Sequence, residues 1–168
     1  MSQRHIPGSI LVMLMIGLMP VAGSAMIIQM SLPELVSQSD VIVRGEVTTT
    51  ECRWVHCPYG RIIVTDVTVA VGEPLMGSLD QPEVVIEVPG GVVGDLGLRV
   101  ADAPQFTVNE EIMAFLSPVD GFGHRAVTNL HNGKYTIRDQ LIEETGEPVS
   151  EFTARVNATV KAWERRQR

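Results

Sequence analysis

Apolar and polar residues alternate along much of this chain, and the alternation marks out its elements. Over residues 40–48, Val41, Val43, Gly45 and Val47 fall on one side, with Arg44, Glu46 and Thr48 on the other. Over residues 61–71, Ile63, Val67, Val69 and Val71 oppose Asp66 and Thr68. A period of two carried by β-branched residues is the pattern of half-buried antiparallel strands. Gly45 weakens its strand but admits the bend or bulge that a curling sheet needs. Val84, Ile86 and Val88 mark a third strand, stopped by Pro89, Gly90 and Gly91. Residues 111–116 are apolar on both faces, which suits a central strand. Two last strands are expected over 126–130 and 134–138, joined by a tight Asn-Gly hairpin turn at 131–133.

The period changes at two places. Ser31, Leu32, Pro33 and Glu34 open a short helix: Ser31 can cap it, Pro33 fits the first turn, and Glu34 stands where a capping box needs an acid. Near the C-terminus, Phe152, Val156, Val160 and Trp163 recur at helical spacing, predicting an amphipathic helix over 151–165 with Ser150 as its cap. Its apolar stripe should pack on the sheet, with a partner's groove as the alternative. Residues 89–109 are the least regular. Gly90, Gly91, Gly94, Gly97 and Pro104 predict a long loop with a short strand at 98–100, and such loops are often where function sits.

Residues 1–25 stand apart from this pattern. Arg4 and His5 precede an apolar run over 10–19, then Pro20, then Gly23, Ser24 and Ala25. A basic start, a short apolar run and a small-residue exit describe a signal peptide. The competing reading is a retained anchor, since no charged side chain intervenes between His5 and Glu34. Cleavage after Ala25 leaves residues 26–168 as a single secreted or periplasmic domain with no stable membrane span. The 168-residue chain carries 20 acidic against 13 basic residues, a formal charge of -7, and only 5% aromatic residues. An acidic surface repels phosphate backbones and offers few stacking platforms, so nucleic acid is excluded as an expected partner.

Chemistry-bearing motifs are sparse. Cys52 and Cys57 lie close together in what reads as a loop over 51–60, and in an exported chain a disulfide is the simplest reading. Metal ligation with His56, or free thiols, are the alternatives; adjacent His and Cys suit tetrahedral zinc badly, and no second pair completes a ligand set. The glycine-rich stretch lacks the spacing of a dinucleotide or phosphate loop. His124 and His131 lie in turns, and neither a nucleophile elbow nor a zinc-helix motif is present. Glu87, Asp95 and Asp102 lack the dense spacing of a calcium loop. No catalytic residue, metal or cofactor is therefore expected. The candidate contact residues are Trp54, His56 and Tyr59 in the cysteine loop and Gly91, Gly94, Asp95 and Arg99 in the glycine loop.

Taken together, Ser39 to Val47, Thr65 to Val69, Pro89 to Gly91 and Glu110 to Leu116 resemble exported bacterial proteins without known function. The order of elements over residues 32–140 is similar to netrin-like OB-folds, the class that includes the tissue inhibitors of metalloproteinases. The resemblance implies a mainly β fold: a five-stranded, partly open OB-like antiparallel barrel with a short N-terminal helix and a C-terminal helix. Those inhibitors act through an N-terminal cysteine, and no cysteine lies near Met26, so metalloprotease inhibition does not carry over. The expectation is a non-catalytic exported binding or protein-interaction domain whose partner is an exported or envelope protein. The alternatives are a small exported hydrolase or thiol-redox enzyme, and a structural envelope component.

Overall fold

The structure is a computed structural model that describes residues 30–58, 60–120 and 123–168. The segment read as a signal peptide, and Tyr59, lie outside the described residues. In chain order the elements are α1 (Leu32–Gln38), β1 (Val41–Cys57), β2 (Gly60–Met76), β3 (Glu83–Pro89), β4 (Gly91–Val93), β5 (Leu96–Leu98), β6 (Glu111–Leu116), a 3-10 turn (Leu130–Gly133), β7 (Lys134–Arg138), β8 (Leu141–Ile142) and α2 (Val149–Gln167). The fold is mainly β, with one helix ahead of the sheet and one after it. Among the described residues, no helix is long and apolar enough to cross a membrane.

Six strands form one antiparallel sheet in the order β3-β2-β1-β6-β7-β8, and β4 pairs with β5 in a separate small ribbon. The ladders leave this sheet open, with β3 and β8 at its edges, so regular pairing does not build the expected five-stranded barrel. The reason lies in β7 and β8, which extend the sheet beyond β6 under the cover of α2. One segment does cross toward the far edge. Thr128 N–H donates to Phe115 C=O at 2.8 Å and Ser117 N–H to Ala126 C=O at 2.9 Å, while Glu87 N–H donates to Arg125 C=O at 2.8 Å. Residues 125–128 thus touch β6 in an antiparallel sense and β3 in a parallel one.

The expected 131–133 hairpin is absent. Residues 125–128 and 134–138 both run antiparallel to β6, along the same edge, with the 3-10 turn as an interruption between them. Asn129 and Leu130 take up that offset in left-handed conformations, at φ 54 and φ 55. The tight turn lies further on, between β7 and β8, where Asp139 and Gln140 both have positive φ without a glycine.

Strand β6 and the first residues of β1, 41–43, are buried on both faces. Val41, Val43 and Val47 of β1 join Ile112, Ala114 and Leu116 of β6 in one core with Val67, Val69, Val84, Ile86 and Val88. Ile42, Met113 and Phe115 face the other way and meet Leu35 and Val36 of α1 and Phe152, Val156 and Val160 of α2. Trp163 packs at the end of this stripe, so the apolar face of α2 is spent on the sheet. Tyr135 stands between Phe115, at 5.8 Å between ring centroids, and Phe152, at 4.6 Å. At Gly45 the β1–β2 register shifts, and a Cβ there would run into the Ala70 carbonyl. At the start of α1, Glu34 accepts hydrogen bonds from the Ser31 N–H (2.8 Å) and hydroxyl (2.7 Å). Those bonds, the hydroxyl's first, hold the Glu34 carboxyl below the usual range.

Two outcomes follow. Phe152→Ala opens a cavity between α2 and the sheet and should cost about 3–5 kcal/mol, read by chemical denaturation. Because the folded pKa of Glu34 is lowered, its stabilising effect is present above the unfolded carboxylate range and is lost as pH falls through the folded value. An NMR titration should therefore find Glu34 ionising below the usual range, and Ser31→Ala, which removes the hydroxyl but keeps the backbone N–H bond, should move it part of the way back.

Candidate functional site

The glycine-rich stretch builds a concavity on one side of the sheet. Strand β3 ends at Pro89, paired with Val64. Gly90 and Gly91, at φ 106 and φ 133, then turn the chain out of the sheet. Gly90 N–H donates to Ile63 C=O at 2.9 Å, and the Thr65 hydroxyl donates to Gly90 C=O at 2.7 Å. A Cβ at Gly91 would lie 2.6 Å from both Cys52 Sγ and Thr65 Oγ1, so contact as well as conformation reserves the position for glycine. β4 and β5 follow as a ribbon joined at Gly94 and Asp95, and residues 99–110 return to β6. This replaces the long loop with a short strand at 98–100 expected from the sequence: the two strands are Gly91–Val93 and Leu96–Leu98.

The returning segment is tied down at its base. Val47 N–H donates to Glu110 C=O at 2.9 Å, and Asn109 N–H to Val47 C=O at 2.8 Å. The Glu110 carboxylate takes the Thr107 N–H at 3.0 Å and the Lys134 ammonium at 2.5 Å, and Lys134 also sits over the Phe106 ring at 5.3 Å. Lys134 and Glu110 are 10% and 15% exposed; so shielded a pair, with its remaining groups bonded, holds its geometry better than a solvated one. Farther up, Asp102 C=O accepts from His131 N–H at 3.2 Å.

Between ribbon, returning segment and sheet lies a cleft of about 810 Å³. Thr50, Thr65, Val67 and Val88 form its sheet side, and Val100, Ala103 and Phe106 add apolar surface opposite. Arg99, Asp102 and Gln105 supply charge and hydrogen-bonding capacity at the wall. An apolar floor with a few polar groups, at this volume, is the usual make-up of a binding pocket. Among the described residues lining it there is no histidine, cysteine, serine or lysine to form a nucleophile–base pair.

The cysteine loop does not exist as a loop. β1 and β2 pair continuously from Ile42 opposite Met76 to Cys57 opposite Gly60. Cys52 and Cys57 are therefore five positions apart on one strand, roughly 16 Å at the strand's rise per residue and on opposite faces. A disulfide needs Cα atoms within about 7 Å. Both thiols are free, and the expected Cys52–Cys57 bridge is overturned. Cys52 Sγ lies 3.3 Å from Thr65 Oγ1.

The other candidates divide between the two features. Gly91 and Arg99 line the cleft; Gly94 and Asp95 stand at the exposed ribbon tip, outside its lining. Trp54 lies on β1 with the Arg61 guanidinium 4.6 Å over its ring, and His56 is exposed near the hairpin end.

One cluster escaped the sequence reading. Arg53 Nε donates to Asp66 at 2.6 Å and its Nη2 to Glu87 at 2.6 Å, and His124 Nδ1 lies 3.3 Å from Glu87. The hydrogen bond to Asp66, above all, raises the Arg53 pKa beyond the ordinary arginine value. This clamp joins β1, β2, β3 and the loop before residue 125 on the face opposite Cys52. It also engages Glu87, one of the acids weighed for calcium, and no His, Cys, Asp or Glu group among the described residues could hold a metal. Alternation puts Arg53, Asp66 and Glu87 on sheet faces, but only the β1–β2–β3 register makes them neighbours.

Gly91→Ala tests the way the ribbon is seated. It should cost about 1–3 kcal/mol and, by lifting β4 from Cys52, speed the reaction of Cys52 with a thiol reagent while leaving Cys57 unchanged.

Against known proteins, no family model, no curated protein and no solved structure matches this chain.

Proposed function

We propose that this chain is an exported, non-catalytic binding domain that takes part of a secreted or envelope protein into the cleft beneath the β4–β5 ribbon. The supporting observation is the cleft itself: an apolar floor, polar groups from Arg99, Asp102 and Gln105, and a rim of glycine backbone that a partner chain can approach closely. The thiol-redox alternative finds no dithiol, because Cys52 and Cys57 stand far apart on one strand.

The same proposal takes the fold as OB-like and akin to netrin-like domains. Support comes from residues 125–128, whose antiparallel contact with β6 and parallel contact with β3 complete a five-membered circuit with β1 and β2. In such folds a strand face and the loops beside it carry the contacts, and a cleft between sheet, ribbon and returning segment is compatible with that use.

In-cell crosslinking of the tagged full-length chain tests the binding role. The expected result is capture of one envelope or secreted protein, reduced at least tenfold by Arg99→Glu or by a Gly-Ser replacement of residues 92–97. Capture unchanged by both alterations would remove the cleft from the function.

A further inference from the structure

The outer edge of β1 is covered along only part of its length. β6 pairs with it over residues 41–46, and the Val47 bonds to Asn109 and Glu110 add one further step. Beyond that, among the described residues, no strand or loop bonds to this edge as far as Cys57. The direction of its backbone groups follows from the neighbouring ladders. Val71 N–H donates to Pro82 C=O, and Ile63 C=O accepts from Gly90 N–H, so the odd-numbered residues of β2 point their groups at β3. The even-numbered ones point at β1. Asp66 lies opposite Glu51 and Val64 opposite Arg53, so Glu51 and Arg53 bond inward. Thr50, Cys52, Trp54 and His56 then present their N–H and C=O groups outward. A row of unmet backbone donors and acceptors is a template for another strand.

The side chains select what that strand is. In an antiparallel pairing of two identical strands, the two-fold axis stands normal to the sheet and keeps every side chain on its own face. A residue can then meet only residues an even number of positions away. Setting Glu51 against Glu51, or Arg53 against Arg53, opposes like charges. Setting Thr50 against Thr50, or Trp54 against Trp54, leaves Glu51 without a cation. Setting Cys52 against Cys52 places Glu51 opposite Arg53 of the second copy, twice. Within its own chain Glu51 lies directly across from Asp66 and has no ion pair among the described residues.

We propose that β1 pairs edge to edge with β1 of a second copy, forming a two-fold antiparallel dimer centred on Cys52. The pairing joins two sheets into one and adds Glu51 of the second copy to the acids around Arg53, whose guanidinium already holds Asp66 and Glu87. It is independent of the cleft reading.

Sedimentation equilibrium on the full chain should find a concentration-dependent dimer. Glu51→Arg sets Arg against Arg twice and should raise the dissociation constant about tenfold. Mixing the Glu51→Arg chain with an Arg53→Glu chain should restore the dimer as a heterodimer. Arg53→Glu also removes the cation between Asp66 and Glu87, so a second measurement stands beside it. The central pair has a Cα separation of about 5.5 Å, within disulfide range. Diamide, which accepts the two thiol hydrogens, should therefore link Cys57→Ser chains through Cys52 and leave Cys52→Ser chains unlinked. A monomer at every concentration with no Cys52 link overturns the proposal. So does a dimer indifferent to Glu51→Arg, or one that links equally well through Cys57.

Discussion

The antiparallel ladder between β1 and β2 sets the position of nearly everything else. Each strand is 17 residues long, about three times the usual length. Its lower part is the middle of the domain, flanked by β6 and β3, and carries the residues of both cores. Its upper part runs past the end of β6 as a hairpin. The register shifts at three places in the lower part, and Gly45 lets the backbones approach where one of them falls. Bulges of this kind bend a sheet and increase its twist.

From that ladder the functional surface follows. The far end of β3 reaches only Val64, so the chain leaves the sheet at Gly90 and folds its ribbon back over the hairpin at Cys52 and Thr65. The cleft is the space left between that ribbon, the returning segment and the core formed by Val67, Val69 and Val88. The Lys134–Glu110 pair and the Val47 bonds keep the returning segment at a fixed height. The cleft's shape therefore rests on groups that do not line it. On the other face the same register aligns Arg53, Asp66 and Glu87, a charge clamp across three strands in a chain with an excess of acid.

Two cores share one sheet, and this explains the composition of the central strands. Strand β6 has Ile112, Ala114 and Leu116 toward one core and Met113 and Phe115 toward the other. Without α2 the second set would be exposed, so the C-terminal helix completes the sheet rather than decorating it. The aromatic contact of Tyr135 with Phe115 and Phe152 ties β6, β7 and α2 at one point.

What the sequence determined alone is what depends on local periodicity. Strand faces at Val41, Val43 and Val47, the two-sided burial of residues 111–116, the Ser31–Glu34 helix start and the Phe152 stripe are each written in consecutive residues, because propensity and amphipathicity act within a few positions. Tertiary structure decided whatever depends on which segments meet. Cys52 and Cys57 look adjacent in sequence, but an unbroken strand holds them apart. Asn132 and Gly133 look like a hairpin turn, but β6 offers both neighbouring segments the same edge, so a 3-10 interruption results. Arg53, Asp66, Glu87 and His124 carry no motif, and only pairing register gathers them. The glycines of residues 90–97 signalled an irregular segment, yet the cleft came from where that segment landed. Side-chain pattern records how a segment meets solvent and core; which segment lies beside it is settled by the whole chain packing at once.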